Sequence, residues 1–162
     1  MVSFTEMDNK TAWKRVISWV IPLAVGGLGL LLSGGIDNYE VVNRPPLSPL
    51  AWLFPLVWTV LYVLMGEAAF RIYAADADRI QKKKALTAYG VQLALNLLWP
   101  IVFFGGRQYL AAFVVIIALW VAIFITVRRF TQIDEKAGDL LIPYFLWVTF
   151  AAYLNLGVFL LN

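Results

Sequence analysis

No cysteine and no histidine occur among the 162 residues of the chain. Without thiols there are no disulfides, and cysteine usage gives no clue to the redox compartment. A zinc centre built from His or Cys is excluded, as is haem ligation by imidazole or thiolate, leaving Tyr and Met as atypical ligands. Charge is scarce too: 14% of residues are Asp, Glu, Lys or Arg, against about 25% in soluble domains. The sequence has no glycine-rich phosphate loop, no nucleotide signature and no carboxylate pair within an apolar run. Taken together, these absences favour a binding protein over an enzyme, with no catalytic residues and no metal site.

Apolar residues take the place of all this, at 62% of the chain with a mean hydropathy of +0.77. Such a chain reads as an integral membrane protein, an all-α bundle of five transmembrane helices in one domain over residues 1–162. The spans are expected at about 13–33, 50–73, 85–104, 109–127 and 137–161, each near the roughly twenty residues that cross hydrocarbon. Residues 1–12 are polar and too acidic for a secretory signal, and the run after them is longer than a signal's apolar core. The polar stretch 74–84 reads as a loop, and residues 105–108 as a tight hairpin connection. Gly26, Gly27 and Gly29 permit close helix contact, and Gly90 with Ala94 forms a small-xxx-small pair suited to a homodimer. Glu67 and Arg71, four apart, read as an ion pair on one helix. Trp13, Trp19 and Tyr109 are placed as interface anchors.

The net charge of +3 does not point to nucleic acid, because the bases cluster at the ends of apolar runs. Of thirteen Lys and Arg residues, only Arg44 and Arg107 fall on the side away from the N-terminus. The positive-inside rule then predicts a cytoplasmic N-terminus, with the C-terminus and the first connection outside.

That first connection runs into the second span through Asn43–Tyr62. Pro45, Pro46 and Pro49 make it stiff. It reads as a lid feeding a helix on which Trp58 and Tyr62 share one face. Three spans carry aromatic or polar stripes at helical spacing: Trp58, Tyr62 and Met65; Gln92, Asn96 and Trp99; Tyr144, Trp147, Ala151 and Asn155. Amides within lipid are costly, so they should face the bundle interior, as interhelical glue or as a ligand site. Converging indoles, phenols and amides suit a flat, largely apolar ligand. On this reading Trp58, Asn96 and Trp147 share one cavity, and Asn96→Leu weakens binding while leaving the fold intact. Trp120 falls outside all three stripes.

The chain resembles the TspO/MBR family of tryptophan-rich sensory proteins and translocator proteins, the peripheral-type benzodiazepine receptors. Three motifs carry the resemblance. Tyr39 and Asn43-Arg44-Pro45, followed by Trp52 to Tyr62 and Met65-Gly66, resemble the family's first loop and second helix. Leu95 to Pro100 with Phe103-Phe104-Gly105 resembles its third helix. Pro143 to Trp147, Phe150-Ala151 and Leu154-Asn155 resemble its fifth. The resemblance implies a homodimeric five-helix bundle that binds tetrapyrroles such as protoporphyrin IX, as ligand rather than obligatory cofactor, in a cavity capped by the first loop. Light-dependent porphyrin degradation, or a transporter or regulatory role, are the alternatives it carries. Tyr39, Trp58, Asn96, Trp147 and Ala151 match the family's ligand contacts, and Tyr62, Trp99, Tyr144 and Asn155 join them from the stripes. Two positions depart from the family pattern. Leu47 stands where the first loop usually has tryptophan, which should weaken porphyrin contact. No base follows Tyr153, which disfavours a sterol role.

Overall fold

The computed structural model describes residues 4–162, with side chains from residue 9 onward apart from residue 38. All regular structure among the described residues is helical: α1 (Phe4–Leu32), α2 (Asn38–Val41), α3 (Leu53–Ala74), α4 (Arg79–Pro100), α5 (Tyr109–Ile133), α6 (Glu135–Asp139) and α7 (Ile142–Leu161). Among the described residues, five helical segments are long and apolar enough to cross a membrane. They pack around a ring in the order α3, α1, α4, α5, α7, and α7 returns against α3.

Lipid rather than water sets the patterning. Leu61, Met65, Ala68 and Ile72 line the inner face of α3, and Ile116, Leu119, Ile123 and Phe130 that of α5. The opposite faces are equally apolar, with Leu56 and Val60 on α3 and Val114, Val121 and Phe124 on α5 exposed. A helix apolar all round belongs in a membrane. The buried polar residues Gln92, Asn96, Thr126 and Asn155 face inward, as the cost of an amide in hydrocarbon requires.

The helix ends depart from the expected spans for local reasons. Stretch 74–84 is mostly helix rather than loop. Asp78 caps α4 by accepting from the Ile80 and Gln81 amides at 2.9 and 3.1 Å, a standard N-cap. Lys82, now within α4, donates to the carbonyls of Tyr73, in the last turn of α3, and of Ala75, the residue that caps it, at 2.6 and 2.9 Å. A cation satisfying orphan carbonyls there also complements the helix dipole. The fifth span is interrupted after α6, and α7 restarts with Pro143 in its first turn. Pro100 ends α4 by removing an amide donor. The chain then continues as a π turn, Ile101–Gly105, in which the Gly106 amide reaches back to the Ile101 carbonyl at 2.8 Å.

The expected Glu67–Arg71 pair is replaced by two longer-range ones. Glu67 accepts from Arg15 at 2.7 and 2.9 Å and from the Trp19 indole at 3.0 Å, tying α1 to α3. Arg71 pairs with Asp134 at 2.8 Å. Partial burial pushes the Asp134 carboxyl up, but Arg71 and the Ala137 and Lys136 amides outweigh it and hold the group below its ordinary value. The helix register favoured the intrahelical pair; the crossing of α1 over α3 offers both carboxylate oxygens a better partner.

The lid is pinned to the far end of α7. Helix α1 closes in a Schellman motif, with Gly34 and Gly35 at φ of 76° and 94° and their amides on the Leu31 and Leu30 carbonyls. The Asn43 amide donates to Asn162 Oδ1 at 3.0 Å, and Asn162 Nδ2 returns to the Asn43 carbonyl at 2.9 Å. Tyr153 donates to the Pro46 carbonyl and Tyr39 to the Pro49 carbonyl, at 2.9 and 3.0 Å. Pro45 packs on Gly157 so closely that a Cβ there would lie 2.5 Å from its ring.

Candidate functional site

Helices α1 and α3 cross tightly at one level and part at another. A Cβ on Gly66 would lie 2.5 Å from both the Ser18 carbonyl oxygen and Trp19 Cα. Pro22 has no amide to donate to that carbonyl, so α3 meets a carbonyl freed from its own helix. Two turns further on, the Tyr62 ring lies against Gly26, where any side chain would collide with it. A Cβ on Gly27 would meet nothing within 4 Å. The space that opens above Tyr62 is a cavity of about 240 Å³.

Its walls come from α1 (Gly26, Gly27, Leu30), α3 (Phe54, Trp58, Tyr62) and α4 (Asn96, Trp99). Pro55, Thr59, Gly27 and Leu30 are wall residues that are themselves exposed, so the cavity opens sideways between α1 and α3. Trp58 stacks on Tyr62 with centroids 5.5 Å apart and meets Tyr144 edge-on at 6.1 Å.

Behind the wall runs a one-directional chain of hydrogen bonds. Tyr62 donates to Asn96 Oδ1 at 2.9 Å, and Asn96 Nδ2 to the Tyr144 oxygen at 2.8 Å. Tyr144 donates to Gln92 Oε1 at 2.6 Å, and Gln92 Nε2 reaches the Met65 sulfur at 3.8 Å. A second unit fixes Trp99: its indole donates to Asn155 Oδ1 at 2.9 Å, while Asn155 Nδ2 donates to the Tyr109 carbonyl at 2.8 Å. Each amide is thereby committed in orientation, and with it the cavity-facing group it holds.

The structure thus sorts the nine residues singled out from sequence. Trp58, Tyr62, Asn96 and Trp99 line the cavity. Tyr144 and Asn155, each 1% exposed, stand behind it as hydrogen-bond partners. Tyr39 and Ala151 border a residual void of about 10 Å³; Tyr39 packs edge-on against Phe54 at 4.9 Å and so backs the wall. Trp147 lies apart, in an apolar groove between α3 and α7 with Leu61 and Phe150. Its buried indole nitrogen has no hydrogen-bond partner, and its ring meets the cavity-wall residue Phe54 edge-on at 5.9 Å. The exposed Leu47 at the lid tip, at φ 68°, is not among the wall residues. Phe54 and the α1 glycines are wall residues that the stripes missed. An aromatic in a proline-rich entry looks like any interface residue, and a glycine facing a void has the same spacing as one facing a helix.

Trp120 belongs to neither the cavity nor the groove. It donates to Thr149 at 2.8 Å and packs on Phe145 at 4.9 Å, joining α5 to α7.

The TspO/MBR family model matches residues 18–161. The tryptophan-rich sensory protein of Cereibacter sphaeroides is 40% identical over 124 residues, covering 76% of each chain. The tryptophan-rich protein TspO of Chlorobaculum tepidum is 37% identical over 124 residues, 76% of this chain and 78% of its own. Similarity extends to the translocator protein of Ovis aries, at 34% over 148 residues, 88% of this chain and 87% of its own. A match of that extent, on a five-helix membrane bundle that carries all three motifs in order, makes this chain a member of the TspO/MBR family.

Proposed function

We propose that this protein is a membrane receptor that binds a flat, largely apolar ligand of the tetrapyrrole class in the cavity between α1, α3 and α4. The observation that carries the reading is the wall itself: two indoles, a phenol and one oriented amide around about 240 Å³ of largely apolar space, with the Thr59 hydroxyl turned to the Pro55 carbonyl at 2.7 Å. Planar faces and a single fixed polar contact are what a planar aromatic ligand uses. The volume lies below the usual range of about 300–1,000 Å³ for ligand sites, so a whole macrocycle extends through the opening beside Gly27 or widens it. Entry from the bilayer suits a lipophilic ligand, and from the first connection Ile36 reaches the cavity wall.

Protoporphyrin IX titrated in the dark, followed by tryptophan emission, tests this. Trp58→Phe keeps a ring but loses the indole N–H and contact area, and should weaken binding by about 1–2 kcal/mol. Gly27→Leu puts a side chain into open space and should block the cavity with little loss of stability. Trp147→Phe, across the groove, should cost less than Trp58→Phe, and Trp120→Phe should leave affinity unchanged. Equal effects at Trp58 and Trp120, or full binding by Gly27→Leu, would place the ligand elsewhere.

The orientation belongs to the same proposal: basic ends inside, lid and C-terminus outside. Because the chain lacks cysteine, Lys83→Cys should react with an impermeant thiol reagent only in opened cells, and Leu47→Cys in intact ones. The reverse pattern would invert the topology. A homodimer completes the reading. Gly90 and Ala94 lie on an exposed face of α4 that the bundle leaves uncovered. Gly90→Ile combined with Ala94→Ile should shift solubilised protein to monomer, and an unchanged dimer would move the contact to another helix.

A further inference from the structure

A second recess lies between α4 and α5 at their basic ends, a groove of about 510 Å³ remote from the cavity. Lys83, Lys84 and Arg129 stand along it with Ile80, Val91 and Ile125. Lys83 and Lys84 fall in the first two turns of α4, and Arg129 lies one turn before the end of α5 at Ile133. Val91, Ala122 and Ile125 lie deeper, Val91 seven residues beyond Lys84, or about 10 Å along the axis. The groove is therefore cationic at the bilayer surface and apolar within the bilayer. Among the described residues the ion pairs are Arg15–Glu67 and Arg71–Asp134, so none of the three cations at the groove has a carboxylate partner.

We propose that this groove seats an anionic phospholipid, its phosphate between Lys83, Lys84 and Arg129 and one acyl chain along Val91, Ala122 and Ile125. Charge complementarity selects this occupant. Three neighbouring cations without counter-charges repel one another, and a phosphate diester offers them oxygens at headgroup depth. A neutral lipid would fill the apolar floor and leave the cations unmatched. A soluble phosphate would match the cations and leave the floor empty. The site depends neither on the orientation nor on the ligand of the cavity.

Native mass spectrometry of the full chain, offered dioleoylphosphatidylglycerol and dioleoylphosphatidylcholine in equal amounts, tests the proposal. The anionic lipid should be retained preferentially. Lys83→Gln, Lys84→Gln and Arg129→Gln together should lower its affinity by roughly fivefold for each charge removed. Lys10→Gln, Arg128→Gln and Lys136→Gln remove the same charge outside the groove and should leave it nearly unchanged. Ile125→Trp keeps the cations, obstructs the chain and should also reduce retention. Equal retention of the two lipids overturns the site, and equal loss in both triple variants reduces it to diffuse surface potential. An Ile125→Trp protein that holds the lipid normally, or displacement by soluble glycerol 3-phosphate, removes the seated chain. Failure of any of these arms leaves porphyrin binding in the cavity untouched, so the two proposals fall separately.

Discussion

Asn96→Leu is expected to destabilise the bundle by about 1–3 kcal/mol and to weaken ligand binding at the same time. The first effect is the one that sequence reasoning did not assign to this residue. An apolar side chain in a membrane span carries no desolvation cost of its own, and on that ground alone the fold should tolerate leucine. The structure adds the partners. Tyr62 loses the oxygen that accepts its proton at 2.9 Å, and the Tyr144 oxygen loses its donor at 2.8 Å. Bonds of this kind inside membranes average only about 0.6 kcal/mol, with a maximum near 1.7. Two bonds in one polarised chain add up to a measurable loss, the more so because Tyr144 is 1% exposed and out of reach of replacement water. The check is a double-mutant cycle in detergent: Tyr62→Phe, Asn96→Leu and both together. Removing the hydroxyl that leucine orphans should make the double variant cheaper than the sum of the singles, by about 0.5–2 kcal/mol. Strict additivity would mean that the chain of bonds is not a unit. Porphyrin titration of the same variants, at a temperature where all are folded, separates lost contact from lost structure.

Much of this molecule is legible without coordinates, and what is not has an identifiable cause. Span number and helix class follow from the apolar runs, because lipid demands that each crossing satisfy its own backbone. The inward placement of Gln92, Asn96 and Asn155 follows from the cost of an exposed amide. Periodicity gives the face of a helix but not its neighbour. Trp147 and Trp58 both read as inward aromatics, yet Trp147 lies in the groove between α3 and α7 and Trp58 at the cavity between α1, α3 and α4. Glu67 met the same limit: Arg71 was within reach along the helix, and only the α1 crossing brings Arg15 and Trp19 to it. Lys82 inverted a reading altogether. A run of lysines looks like solvated loop until Asp78 starts a helix beneath it and the α3 carbonyls supply partners. Glycines were the least legible of all, since Gly66 at a crossing, Gly26 beneath a ring and Gly27 beside a void differ only in what lies opposite.

That difference sets up the second large effect, Gly66→Ala against Gly27→Ala. Both changes add one methyl group to an apolar helix, and both should gain about 0.5–1 kcal/mol from reduced backbone freedom in the unfolded chain. At Gly27 nothing lies within 4 Å, so that gain should survive and stability should hold or rise slightly. At Gly66 the new carbon would sit 2.5 Å from the Ser18 carbonyl oxygen and from Trp19 Cα, and 2.9 Å from Trp19 Cδ1. The first two are backbone atoms, so no rotamer change relieves the clash and α1 must move as a body. Overpacking of this kind costs about 1–3 kcal/mol. The movement also pulls on the adjoining contacts, because Trp19 and Arg15 both bond the carboxylate of Glu67, the next residue. Net destabilisation is therefore expected at Gly66 and none at Gly27, read as unfolding midpoints in the same detergent. The consequence reaches the site, since the crossing at Gly66 is the pivot from which α1 and α3 part to form the cavity. A displaced α1 changes the width of the opening beside Gly27, so Gly66→Ala should alter porphyrin affinity from a position about a turn below the cavity floor at Tyr62. Equal stability of the two alanine variants would show that the helices tolerate a wider crossing, and the cavity would then owe its shape to the lid and α4 instead.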